Sequence, residues 1–180
     1  MTLELTDTTR QEGAGRVTAQ QLGNDRTTAY TDGPDLVLER IFDAPRELVW
    51  KILHDADRIP YWWGPRNTTM TVVENDVRVG GRWRWIAHTE GGEDAPFAGE
   101  YLEIAPPERV VRTEMFDVPP FNQGEPAIET MTLGDLGGRT KLVSRSRFPS
   151  VEILEGALAT GMIGGALESY DRLAEEIDKG

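Results

Sequence analysis

The apolar positions of this chain switch between two periods, and the switches lay out its elements. Residues 36–42 are rich in β-formers and predict a strand. Leu48, Val49, Ile52 and Leu53 then fall on one face at helical spacing, behind Pro45 and with Glu47 in the first turn, which predicts a helix. Pro60 stops its continuation, so residues 56–62 make at most a short second helix, closed by Gly64-Pro65. From residue 68 the period drops to two. Strands are predicted over 68–74, 82–89, 97–104, 109–116, 127–133 and 139–148, separated by Gly- and Pro-rich turns. The Pro-rich segment 117–126 is too long for a tight turn and suits a functional rim.

Residues 151–179 return to a helical period, with Leu154, Leu158, Met162, Ile163, Leu167, Tyr170, Leu173 and Ile177 on one face. Gly156, Gly161, Gly164 and Gly165 interrupt this predicted long helix, each at about 1 kcal/mol against alanine. They let it lie close to a sheet or leave space beneath it. Hairpin connections make the seven strands antiparallel, and one long helix must cover their apolar face. The expected class is α+β, with a single domain over residues 34–180. Residues 1–33, dominated by Thr, Gln, Gly, Asn and Asp, form an extension ending in the turn Asp32-Gly33-Pro34-Asp35. Segments 16–20 and 27–31 could add edge strands.

Composition narrows the function classes. A length of 180 residues with 38% hydrophobic and 28% charged residues suits a globular chain with a substantial core. The formal net charge of −12 argues against a nucleic-acid partner and against an anionic membrane surface. No apolar run is long enough for membrane insertion, and the N-terminus lacks the pattern of a secretory signal. The absence of cysteine removes disulfides, thiolate catalysis and Cys-based zinc sites, and fits a cytoplasmic location. Two histidines without ligand spacing predict no metal site, and no cofactor-binding loop is present.

The candidate chemistry sits around an aromatic cluster. Trp62, Trp63, Trp83 and Trp85 lie within 24 residues, and such a cluster either fills a core or lines a cavity that something else fills. Alternation puts Trp83 and Trp85 on one sheet face, whereas the adjacent Trp62 and Trp63 must diverge. Tyr101 and Glu103 share a face with Phe97 and Gly99. A carboxylate facing an apolar cavity has its pKa raised and can serve as acid or base. A salt bridge to a sheet arginine, or a bulge turning Glu103 to solvent, competes with that reading. Thr113, Thr130, Thr132, Ser144 and Ser146 are expected on inner faces, where their hydroxyls could meet a bound polar group or one another. Lys141, Arg145 and Arg147 share the opposite face of the last strand, with Glu39 and Glu129 as cross-strand partners.

Several stretches in order carry a resemblance: residues 41–50, Trp62-Trp63-Gly64-Pro65, Gly80-Gly81-Arg82-Trp83, residues 99–109, Gly138-Arg139-Thr140-Lys141-Leu142 and residues 161–173. Together they resemble the activator-of-heat-shock-protein-90-ATPase homologue-like branch of the START/SRPBCC, or Bet v 1-like, superfamily. The resemblance implies a helix-grip fold, in which a curved seven-stranded antiparallel sheet wraps the C-terminal helix around a hydrophobic cavity. It implies a hydrophobic or aromatic small-molecule ligand, met by Trp62, Trp63, Trp83, Trp85, Tyr101, Thr113, Thr130, Ser144, Leu158 and Met162. The alternative it carries is an enzyme of polyketide-cyclase type, with Glu103 and Tyr101 moving protons on a bound carbonyl compound. A chaperone-interacting role is a third reading. The eukaryotic co-chaperone carries a separate N-terminal chaperone-binding domain that a prefix of this size is not expected to supply. A homodimer is compatible with this kind of domain, although the residues mark no interface.

Overall fold

A computed structural model describes residues 21–180; the segment 16–20 lies outside the described residues. The first element is an edge strand, β1 (Thr28–Asp32), paired antiparallel with β2 (Asp35–Phe42) through a turn at Gly33, whose φ of 57° favours glycine. Two short helices follow, α1 (Arg46–His54) and α2 (Ile59–Trp62). The rest of the sheet is β3 (Thr68–Asn75), β4 (Arg82–Thr89), β5 (Asp94–Ala105), β6 (Arg109–Phe116), β7 (Ala127–Asp135) and β8 (Thr140–Arg147). A single turn of 3-10 helix, Phe121–Gln123, lies in the β6–β7 connection.

All neighbouring strands run antiparallel in the order β1-β2-β8-β7-β6-β5-β4-β3. The sheet is curved and has eight strands among the described residues, one more than the seven expected, because 28–32 pairs along the edge of β2. The helix-grip class is unaffected.

The C-terminal segment differs more from expectation. The single helix predicted over 151–179 is two, α3 (Val151–Ala159) and α4 (Met162–Asp178), broken at Thr160-Gly161. Gly161 adopts a φ of 83°, which ends α3 and re-aims the chain into α4. Ser150 caps α3 by accepting the Ile153 amide at 3.2 Å.

The core lies between the concave sheet face and α1, α2, α3 and α4. Leu38, Phe42, Val110, Met131, Leu133 and Leu142 from the sheet meet Val49, Ile52, Leu53, Ile59, Leu154, Leu173 and Ile177 from the helices. Polar ties fix α4 to the tryptophan turn. Arg172 donates to the carbonyls of Pro60, Trp63, Gly64 and Pro65, and the Gly64 amide donates to Ser169 Oγ at 2.9 Å. Arg58 pairs with Glu176, and the buried Arg40 with Asp171. No helix among the described residues is long and apolar enough to cross a membrane.

Candidate functional site

The tryptophans fill the interior. Trp83 and Trp85 are both 1% exposed, with ring centroids 4.7 Å apart. Trp62 packs edge-on to Trp85 and donates from Nε1 to the Ile52 carbonyl at 3.1 Å, and Trp83 Nε1 donates to the Thr113 carbonyl at the same distance. Trp63, half-buried, meets Trp85 and Phe97 edge-on at 5.6 and 4.9 Å. Gly99 makes this packing possible, since a Cβ there would sit 2.6 Å from Trp83 Nε1 and overlap the Thr113 carbonyl.

Over the two indoles lies Arg112, 4% exposed, with its guanidinium carbon 4.5 Å from the Trp83 ring and 4.9 Å from the Trp85 ring. Its Nε donates to Glu129 Oε2 at 2.7 Å, whereas Glu114 Oε2 stands 3.5 Å from Nη2. Ser144 Oγ donates to Glu129 Oε1 at 2.8 Å. Burial opposes the charge on Arg112, yet the Glu129 and Glu114 carboxylates raise its pKa above the ordinary arginine value. Burial pushes the Glu114 carboxyl up, the Glu129 charge adds to that, and Arg112 pulls back; the result is about 7 against an ordinary 4.5. Tyr101 and Tyr170 are both raised by burial. Tyr101 donates from its hydroxyl to Asn75 Oδ1 at 2.8 Å, and Asn75 Nδ2 donates to the His54 carbonyl at 2.9 Å.

The opening lies beside this cluster. A cavity of about 340 Å³ is walled by Phe116 at the end of β6, Phe121 and Pro126 from the β6–β7 connection, Phe148 after β8, and Ile153 and Ala157 from α3, with Glu114 in its wall. Phe116 and Phe121 stand 5.4 Å apart, and Phe116 stacks on Phe97 at 5.1 Å. An aromatic chain therefore runs from Trp85 through Trp63 and Phe97 to the wall. Gly156 belongs to the wall, and a Cβ there would meet open space. The extended segment 117–126, expected as a functional rim, contributes Phe121, Glu125 and Pro126.

Several expected positions are corrected. Glu103 follows a bulge between Tyr101 and Glu103, is 48% exposed, and receives Arg109 Nε at 3.0 Å, so it faces solvent and not the interior. Thr113 lies on the outer face, its hydroxyl accepting the Glu100 amide, and Thr130 lies there too, paired with Val111 and Arg145. Glu129, expected outside as a partner of the basic strand, is inside on Arg112; Lys141 does pair with Glu39, at 2.7 Å. Ser144 is inner and buried. Leu158 and Met162 are half-buried against the core. The structure thus gathers Trp83, Trp85, Tyr101 and Ser144 around Arg112 and Glu129, with Trp62 and Trp63 packed on Trp85, and none of them is in the cavity wall.

Arg112, Glu114 and Phe116 were missed because the two faces of their strand read alike: Val110 and Phe116 balance Val111 and Met115. Gly99 held the missing signal. It must lie under a large ring, and the strand pairing then turns Arg112 inward opposite Tyr101.

Comparison with known proteins follows the fold. The family model described as Activator of Hsp90 ATPase homolog 1-like protein matches residues 43–178. Similar solved structures include an Arthrobacter aurescens protein (22% identity, TM-score 0.76, over 84% of this chain and 91% of that one). A Mycobacterium smegmatis protein matches at 25% identity and TM-score 0.70, over 82% and 90%. One from Chromobacterium violaceum matches at 27% and 0.69, over 80% and 96%. No curated protein matches the chain.

Proposed function

The chain belongs to the Activator of Hsp90 ATPase homolog 1-like family of the SRPBCC superfamily, and from that premise we propose that it binds a hydrophobic or aromatic small molecule in the cavity between α3 and the β6–β7 connection. The fold is typically a ligand-binding one. The observation that supports the reading is the wall itself: a mainly apolar surface around about 340 Å³, with Phe116, Phe121 and Phe148 in it, interrupted by Glu114, Glu125 and Thr160. That volume falls in the range of small-molecule sites, and a few polar groups on an apolar wall are how such sites orient a ligand. Apolar burial supplies affinity at about 25 cal/mol per Å², less the cost of ordering. A cysteine-free chain suits the reducing cytoplasm, where we place it.

Gly156→Leu tests the site. Its side chain fills the cavity while removing a helix-interior glycine, a change that favours the helix by about 1 kcal/mol. A screen of aromatic and lipid-like compounds by thermal shift and ligand-observed NMR should give binders to the native chain that the variant no longer holds. A variant that keeps every binder places the ligand elsewhere, and a screen with no binder removes the proposal.

One observation favours a second reading, an enzyme acting on a bound carbonyl compound. A carboxyl held near 7 on a cavity wall is suited to giving and taking protons at neutral pH. The proton-moving role assigned from sequence to Glu103 then passes to Glu114, and Tyr101, sealed from the cavity wall, supports the cluster without touching substrate. Turnover that survives Glu114→Gln with an unchanged pH–rate profile would dismiss this reading.

A further inference from the structure

The charge on the cavity wall selects among ligand classes. Resting on the reading of this cavity as a ligand site, we propose that its ligand is an organic cation: an amine carried on an apolar or aromatic body, paired with the Glu114 carboxylate and ringed by Phe116, Phe121 and Phe148. Glu114 and Glu125 are the ionisable residues of the wall, which holds no Lys, Arg or His among the described residues. The nearby guanidinium, Arg112, is turned away from a ligand. It is 4% exposed, sits over the two indoles and is matched by Glu129 at 2.7 Å.

That match leaves Glu114 in surplus. Its contact to Arg112 is 3.5 Å, and 29% of its side chain remains accessible. The groups that act on it are Arg112 on its own strand, Glu129 on β7 and Tyr170 on α4, while Tyr101 on β5 and the buried His54 at the end of α1 face the Arg112–Glu129 pair. One buried cation therefore faces two carboxylates. Without a ligand the imbalance favours a proton on Glu114. An ammonium group takes the proton's place: the carboxyl releases H⁺, the carboxylate forms a charge-assisted hydrogen bond to the ammonium N–H, and no other bond changes.

The rings add to the same preference. Phe116, Phe121 and Phe148 are in the wall, and an aromatic face attracts a cation and gives nothing to an anion. The positive end of α3, which borders the wall at Ile153, is already capped by Ser150 and carries Glu152 in its first turn. A net charge of −12 steers cations toward the chain and disfavours fatty-acid-like anions.

Three probes on one ring system test this: naphthylethylamine, naphthylethanol and naphthylacetate, titrated calorimetrically into the full chain near pH 8 and again near pH 6, where the amine stays charged. The amine should bind about tenfold or more tighter than the alcohol, and the acid weaker than both. Near pH 6, titrations in buffers of different ionisation enthalpy should show proton release with the amine and none with the alcohol. Glu114→Gln should bring the amine to the affinity of the alcohol. If that variant fails to fold, proton release by the native chain carries the decision. An amine that binds no better than the alcohol, or an acid that binds best, overturns the cation assignment while leaving a ligand site in place. If none of the three binds, the ligand-site reading falls and this assignment falls with it.

Discussion

Replacing Arg112 with methionine removes the one positive charge seated between the indoles and the inner carboxylates, while keeping most of the side-chain volume. Glu129 then loses a 2.7 Å charge-assisted bond and retains Ser144 Oγ at 2.8 Å as a donor. Breaking a buried pair by deleting one partner costs about 3–5 kcal/mol, because the remaining charge stays buried without compensation. Loss of the stacked contacts to Trp83 and Trp85 adds roughly 1 kcal/mol. Against a typical stability of about 5–15 kcal/mol this is a large fraction, and at roughly 2–4 °C per kcal/mol for a domain of this size Tm should fall by about 10 °C or more. Urea unfolding followed by tryptophan emission and circular dichroism reads the loss. The companion variant Arg112→Met/Glu129→Gln removes both charges and should regain about 2 kcal/mol or more of it, since neutral replacement of a buried pair is commonly near-neutral. A loss below about 1 kcal/mol in the single variant, or a double variant no more stable than the single, would refute the account of Arg112 as a compensated buried cation.

Three further outcomes follow from the same cluster and its surroundings. Glu114 is held near 7 when folded against 4.5 as reference, so the folded state keeps a proton the unfolded state gives up; stability from this group is lost as pH rises from about 4.5 to 7, by at most about 3 kcal/mol, and Glu114→Gln should flatten that decline in denaturant midpoints. His54, pushed by burial from 6.5 to about 4, works in the other direction: the unfolded state protonates first, stability falls as pH drops from about 6.5 to 4, and His54→Phe, which keeps a ring against Trp50, should remove that acid-side loss. Gly99→Ala should cost about 2 kcal/mol or more by forcing a methyl group onto the Thr113 carbonyl and the Trp83 ring; a melting temperature unchanged from the native chain would show that β5 and β6 can separate without cost.

Most of the architecture was legible because the signals are local. Strand alternation, the Pro45 helix start and the Gly-rich turns depend on neighbours in sequence, and they placed each of the seven expected strands close to where it lies. What was not legible depended on which face turns inward. Placing the hydroxyls of Thr113 and Thr130 inside followed the expectation that charges stay outside, but Arg112 and Glu129 compensate one another and can therefore lie inside together. Glu103 followed the competing course that its sequence also offered, a bulge after Tyr101 that reverses the alternation and a salt bridge to the sheet residue Arg109. The cavity was displaced because the indoles interlock, so the space lies at the far end of the aromatic chain, where Phe116 and Phe121 meet α3. The glycines of 156–165 did carry a sequence signal of space or interruption, and the structure uses them for both: Gly156 stands on the wall and Gly161 breaks the helix.

That break at Gly161 separates two fates within the C-terminal segment. α4 is tied by Arg172, Ser169, Glu176 and Asp171 to the turn and strands that hold the sheet together, so almost any change on its inner side disturbs the whole molecule. α3 has nine residues, Leu154 is its one buried side chain, and Ile153, Gly156 and Ala157 look into the opening. Natural drift or a combinatorial library confined to those nine positions can thus reshape that opening while the folding remains underwritten elsewhere.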